Sequence, residues 1–222
     1  MSAKLAANIH WLGHAGFRLR LAGKTVYVDP YRAPPGPRGD LILITHGHFD
    51  HFSREDIEQL CDEDTRVVAP AAVTEQLKRP GLTIAPGETI ELPGFDVTAL
   101  AAYNTNKLDS EGNPFHPKEA GWVGYVLKAG GHKIYHSGDT DVVPEMDQAA
   151  GADIALLPVS GTYVMTAVEA AEAARRIDPD IAVPMHWGTI IGSRADAEQF
   201  AELADVDVRI PERAGEPIGI KI

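Results

Sequence analysis

Leu41-Ile42-Leu43-Ile44, then Thr45, then His46-Gly47-His48-Phe49-Asp50-His51, is the stretch on which the reading of this sequence turns. Four apolar residues in a row, two of them β-branched, predict a strand buried on both faces. Ser53, with the acidic Asp56 three positions on, predicts the start of a helix. The loop between strand and helix holds four potential metal ligands, His46, His48, Asp50 and His51, within six residues. Imidazole and carboxylate suit borderline-to-hard divalent cations. Extended residues at i and i+2 project the same way, so His46 and His48 are expected to share one ion. Asp50 and His51 sit just beyond, where a turn aims them at a second. Filling a loop with three histidines and an aspartate for structure alone would be costly, because each polar group would need its own partner.

Outward from this point the chain alternates strands and helices. Upstream, Phe17-Arg18-Leu19-Arg20-Leu21 alternates, Ala22-Gly23-Lys24 turns, and Thr25-Val26-Tyr27-Val28-Asp29 returns, a hairpin pattern. Pro34-Pro35-Gly36-Pro37 marks a surface loop. Downstream the pattern predicts a strand over 66–69, a helix over 71–78, and strands near 82–85 and 89–92. A second half opens with a strand over 95–102, followed by a hairpin of 122–127 and 132–136 across Ala129-Gly130-Gly131. A helix over 142–150, a strand over 154–157 and a helix over 167–177 follow, the last with Thr166 and Glu169 as a capping box. A strand over 181–185, a helix over 195–203 and two short terminal strands complete the pattern. Each half runs from antiparallel strands into β-α units. Packed together, the halves predict an α/β fold of two mixed sheets flanked by helices, a four-layer αββα sandwich forming one domain over 1–222.

Composition narrows the function. A net charge of −12 over 222 residues argues against a nucleic-acid partner, which calls for a basic face. No apolar run is long enough to span a membrane, and the first residues are too polar for a secretory signal. A cytoplasmic location is therefore the expectation, as is a small-molecule substrate; homo-oligomerisation is left open. The single cysteine, Cys61, is read as a small buried residue. The loop over 104–120 is the longest stretch predicted to lack secondary structure, and loops of that length commonly carry function. It contains His116.

The His-x-His-x-Asp-His run resembles the signature of the metallo-β-lactamase fold superfamily, and the resemblance extends along nearly the whole chain. It implies a later aspartate bridging two metals, for which Ile134-Tyr135-His136-Ser137-Gly138-Asp139-Thr140 offers Asp139. It also implies a last histidine after another strand, offered by His186 in Val183-Pro184-Met185-His186-Trp187-Gly188-Thr189. One position departs from the pattern. Where the superfamily commonly has a histidine after the strand that opens the second half, this chain has Asn104. His116 is the candidate to complete the first site from the long loop; Asn104 as a weak ligand, or a site with more water, are the alternatives. Trp11-Leu12-Gly13-His14-Ala15-Gly16-Phe17 and Val28-Asp29-Pro30 are similar to a branch of metal-dependent hydrolases related to ascorbate-6-phosphate lactonase and N-acylphosphatidylethanolamine phospholipase D.

The resemblance implies hydrolysis of an ester, lactone or phosphodiester by a hydroxide bridging two divalent metal ions. Zinc is the first expectation, with Mn2+ or Fe2+ as alternatives. Asp50 is expected both to bind metal and to serve catalysis by orienting the nucleophile and moving a proton. Asp29 is a candidate second-sphere partner of a ligand histidine, or else a turn residue. His14 is read as a cleft or structural residue. His10, His132 and His136 are read as structural, and Tyr163 and Trp187 as candidate cleft walls. An iron-dependent oxidoreductase or dioxygenase on the same scaffold is the rival. The imidazole of His48, where flavodiiron-type sites carry a carboxylate, favours the hydrolase.

Overall fold

In a computed structural model, which describes residues 2–218, the chain forms two mixed sheets of parallel construction. The first contains β1 (Ile9–Gly13), β2 (Gly16–Leu21), β3 (Lys24–Val28), β4 (Leu41–Leu43), β5 (Arg66–Ala69) and β6 (Leu82–Thr83), in that order across the sheet. β1, β2 and β3 are antiparallel neighbours, whereas β3 to β6 run parallel. The second contains β7 (Thr89–Leu92), β8 (Phe95–Ala101), β9 (Val123–Ala129), β10 (His132–His136), β11 (Ile154–Pro158), β12 (Ile181–Met185) and β13 (Asp207–Val208). It repeats the scheme, antiparallel from β7 to β10 and parallel from β10 to β13. Among the described residues five α-helices accompany them: α1 (Ser2–Ala6), α2 (Arg54–Leu60), α3 (Ala71–Thr74), α4 (Ala167–Ile177) and α5 (Arg194–Leu203).

The strand β4 shows why the apolar run reads as it does. Successive side chains on a strand point to opposite faces. Leu41 and Leu43 join the core shared with the second sheet, while Ile42 and Ile44 join a separate cluster with Ile57, Leu60 and Val73 of α2 and α3. Burial on both faces needs apolar residues at every position. The same parity splits Val68 from Val67 and Ala69 on β5. Cys61 lies in the helix-side cluster at the end of α2, and burial pushes its thiol pKa up.

Helix starts follow the sequence closely. Ser53 accepts the backbone N–H of Asp56, and Thr166 and Glu169 form a reciprocal capping box. Helix ends and short elements are where the structure corrects the reading. The helix expected over 71–78 stops as α3 at Thr74, because the Gln76 side chain donates to Ala72 O and the chain tightens into i→i+3 turns. The segment expected as an α-helix over 142–150 is a 3-10 helix, Pro144–Ala149, whose three-residue period puts Met146 and Ala149 on one buried face. Of the second terminal strand, the described residues include an isolated bridge between Pro217 and His10, and the rest lies outside them; α1 is an addition with no counterpart in the pattern read above. Strand β6 is shorter than expected, and a 3-10 turn, Lys118–Ala120, closes the long loop.

The turn after β10 depends on glycine. Gly138 has φ +64°, and a Cβ there would meet the backbone oxygen of Val123 at 2.6 Å. Gly138→Ala is therefore expected to cost at least about 2 kcal/mol in chemical denaturation, from left-handed strain plus a clash with rigid backbone. Gly131→Ala, at φ +80° with nothing within 4 Å, is the control that carries the strain alone.

Candidate metal centre

Every segment singled out in the sequence for its ligands ends at one place, above the edges where the parallel strands deliver their loops. His46, His48, Asp50 and His51 follow β4, Asp139 follows β10, His186 follows β12, and His116 arrives from the loop between β8 and β9. All but His48 are buried or nearly so. Three overlapping groups of donor atoms result, each close enough to share an ion: His46, His48 and His116; His14, Asp50, His51 and His186; and His46, His51 and Asp139. Asp139 lies between the first two. Its Oδ1 is 3.3 Å from His51 Nε2, and its Oδ2 is 3.3 Å from His116 Nε2 and 3.0 Å from His186 Nε2.

The outward nitrogens explain how these rings are aimed. His51 Nδ1 donates to Asp29 Oδ2 at 2.8 Å, and His116 Nδ1 donates to Asn104 Oδ1 at 2.9 Å. His186 Nδ1 and Ser160 Oγ are hydrogen-bonded at 3.1 Å. His46 Nδ1 donates to Thr45 Oγ1 at 3.0 Å, and that hydroxyl spends its own proton on Asp29 Oδ2 at 2.6 Å. The Asp29, Asn104 and Thr45 anchors fix the tautomers of His51, His116 and His46, leaving each Nε2 with a lone pair facing inward, and Ser160 orients the His186 ring. Among the described residues, His51 Nε2, His116 Nε2 and Asp139 Oδ1 are buried with no hydrogen-bond partner. Orphaned lone pairs converging on one space would be costly without a cation, so the donor set fits divalent metal.

Electrostatics agree. Burial opposes ionisation of Asp139, but the neighbouring His186 and His51 hold its carboxyl well below the usual range. Burial also opposes a charge on His51, yet Asp139 and Asp29 on either side raise its pKa well above the ordinary value. A proton on His51 and a metal cation thus answer the same pair of carboxylates. Burial keeps His46 well below its ordinary pKa, which suits a neutral ligand.

Asn104 does not face the donor groups with a free oxygen. Its Oδ1 accepts both the backbone N–H and the ring Nδ1–H of His116, and its Nδ2 donates to Tyr163 O. Asp29 acts as an anchor for both His51 and Thr45, and adopts a left-handed φ of 44° at the end of β3. His14 (φ 52°) and His186 (φ 60°) are also left-handed. Such conformations in non-glycine residues cost about 1–3 kcal/mol and persist where surrounding structure enforces them. His14 is fully buried, and its Nε2 donates to Asp50 Oδ2 at 2.9 Å. Burial would raise the Asp50 pKa, but this bond helps hold it low.

Several participants carried no sequence signal. Ser160 and Thr45 are ordinary hydroxyl residues until the fold brings them to a ring nitrogen. Trp122, legible only as a strand residue, packs its indole within 5.4 Å of the rings of His46, His48 and His116. Asp141 accepts the backbone N–H groups of Thr105 and Asn106 and pairs with Lys107, which also binds Glu169. This clamp holds the start of the loop that delivers His116. Trp187, expected as a cleft wall, instead stacks on Trp11 with centroids 4.9 Å apart; Tyr163 does line the cleft. His136 bonds Ala15 O, and His10 bonds Gly215 O, both structural contacts.

The clamp has a pH signature. Burial opposes ionisation of Glu169, but Lys107, the Thr166 N–H and Asn106 lower its pKa to about 2 from 4.5. A carboxylate depressed on folding contributes stability above its unfolded value, and that stability fades as pH falls toward the folded value. Glu169→Gln is expected to lose stability at neutral pH and to converge with the wild type between about pH 5 and pH 2, read by denaturation at each pH. A wild-type-to-variant gap that does not change with pH would refute it.

Comparison with known proteins places this geometry. A family model for the beta-lactamase superfamily domain matches residues 8–186. The chain belongs to that superfamily. A UPF0173 metal-dependent hydrolase of Thermoplasma acidophilum is 40% identical, over 81% of this chain and 83% of the relative. A crystal structure from Parabacteroides distasonis, described as a candidate metal-dependent hydrolase, superposes with TM-score 0.82 at 32% identity, covering 92% of each chain. The superfamily member thus falls among the UPF0173 metal-dependent hydrolases, with the four-layer fold expected from its sequence. A diiron β-hydroxylase from Streptomyces venezuelae shares the fold alone, at 15% identity and TM-score 0.72, over 93% of this chain and 52% of that one. Among the described residues no helix is long and apolar enough to cross a membrane.

Proposed function

We propose that this chain hydrolyses a small molecule with two divalent metal ions, one on His46, His48 and His116, the other on Asp50, His51 and His186, with Asp139 shared between them. The observation that carries this reading is the set of four imidazoles, each fastened at Nδ1 and turned inward at Nε2 around one carboxylate. Zinc is the expected metal, since imidazole-rich sites with carboxylate suit it; Mn2+ and Fe2+ accept the same donors. When bound, such a pair supplies a water ionised near neutral pH and a Lewis acid for the substrate oxygen.

The side chains do the rest. The His14 bond fixes Asp50 Oδ2, so the carboxylate stays ionised and holds one orientation toward the reacting centre. Asp50 is the residue placed to accept a proton from the attacking water and return it to the leaving group. Asp29 and Thr45 hold His46 and His51 against rotation, and Asn104 holds His116. No side chain forms a covalent intermediate. The scissile bond belongs to an ester, lactone or phosphodiester.

The test is chelation followed by reconstitution. Stripped protein is expected to lose hydrolysis of a panel of esters, lactones and phosphodiesters, and to recover it with two equivalents of Zn2+. Oxygen consumption by the iron-loaded protein, with no hydrolysis by any metal form, would overturn the reading in favour of oxidoreductase chemistry.

A further inference from the structure

The cleft above the donor groups has a volume of about 280 Å3, and its floor is His48, Asp50, His116, Asp139 and His186. Its walls are Phe49, Phe115, Tyr163, Ile190 and Ile191. Four separate loops, those after β4, β8, β11 and β12, each contribute an apolar side chain, so this character is built from independent parts of the chain. Phe49, Tyr163 and Ile190 are 67%, 37% and 43% exposed, more than large apolar groups need be if they served only to pack. Phe115 and Tyr163 meet edge to face at 4.8 Å, making a firm wall on one side.

Among the described residues, no lysine or arginine lines the cleft. The two lysines of the loop that bears Phe115 are committed elsewhere: Lys107 to Asp141 and Glu169, Lys118 to Glu145. The Arg32 guanidinium rests on Tyr31. A substrate whose non-reacting part carried a phosphate or carboxylate would leave water for apolar walls with no cation to meet it, inside a chain of net charge −12.

We propose that the apolar walls select a compact, uncharged acyl group, so that the substrate is a neutral ester or lactone and not a phosphorylated or otherwise anionic one. This rests on the hydrolase reading above and narrows its substrate class. Small pockets lined in this way obtain orientation from a few polar groups and affinity from apolar contact. The floor supplies the first and the five wall residues the second.

The discriminating experiment holds the leaving group constant and changes only the tail. 4-Nitrophenyl butyrate and 4-nitrophenyl hemisuccinate differ by a terminal charge, and the butyrate is expected to show kcat/KM at least about tenfold higher, mainly through KM. Ile190→Lys, a change at an exposed loop position, is expected to shrink that ratio toward one while circular dichroism stays unchanged. A wild-type ratio at or below one, or a ratio that Ile190→Lys leaves intact, overturns the proposal. Binding of the neutral ketone 4-phenyl-2-butanone to the metal-loaded protein, followed by saturation-transfer NMR, separates this from the hydrolase reading. Saturation transfer that weakens in Ile190→Lys supports the apolar cleft even if no ester is turned over, a result that would sink hydrolysis alone. Absence of saturation transfer overturns the cleft assignment.

Discussion

Asp139→Ala is expected to lower hydrolysis by roughly a thousandfold or more and to leave the purified protein with less than its full metal content. The carboxylate touches donors from both clusters: His51 Nε2 at Oδ1, and His116 and His186 Nε2 at Oδ2. On the proposed reading, removing it would take a ligand from each ion and leave the inward nitrogens without the negative charge that offsets two cations. Asp139→Asn preserves shape and one neutral oxygen, so it should fold while losing most of the same activity. That pair separates charge from packing. An alanine variant that stays fully active and metal-replete would remove the bridging role altogether.

The second large effect belongs to His116 and Asn104. His116→Ala is expected to drop bound metal from two ions toward one and to cut activity by about a hundredfold or more. Asn104→Ala should act more gently, weakening metal affinity by about 10- to 100-fold while two ions still bind at saturating metal, the range found for partners that orient a ligand histidine. The difference follows from geometry, because Asn104 Oδ1 is already occupied by the N–H and Nδ1–H of His116. The opposite ranking, with Asn104→Ala losing an ion that His116→Ala keeps, would make the asparagine the ligand. Metal content by inductively coupled plasma mass spectrometry, alongside titration with a chromophoric competitor, reads both.

These two residues also show how far the sequence carried. The strand Leu41–Leu43 was legible because both its faces are buried, one against each cluster, leaving a run with no polar position. The paired halves were legible from the switch between alternating hairpins and β-α units. The crowding of His46, His48, Asp50 and His51 announced metal chemistry before any contact was known. What stayed hidden depends on chain segments far apart in sequence. Nothing local distinguishes Ser160 as the anchor of His186, 26 residues away, or Asp141 as the clamp for 105–107. His14 was readable as a cleft or structural residue, but its partner Asp50 lies 36 positions away. The short helices were misjudged for a different reason. Propensity alone cannot weigh a Gln76 side chain competing for a helical carbonyl, or a three-residue burial period over Met146 and Ala149.

Asn104 and His116 form a pair with a shared logic. On the proposed reading, Asn104 stands where a ligand histidine was expected, and the ring would come instead from His116, twelve residues on, which is bonded to the Asn104 Oδ1. Asn104 N donates to His116 O as well, so the two ends of the loop are tied at the donor group itself. A loop closed this way can present an imidazole as firmly as a strand end does. It also brings Phe115, the neighbour of His116, into the cleft wall. On the two proposals, metal binding and substrate selection would share one loop.

The most direct test is a crystal structure of the metal-replete protein with anomalous scattering recorded at the metal edge. The account predicts two peaks about 3.5–4 Å apart, with Asp139 between them and His116 Nε2 about 2.1 Å from the ion held by His46 and His48. A single peak, or two peaks with the His116 ring turned away and the Asn104 oxygen in its place, would contradict it.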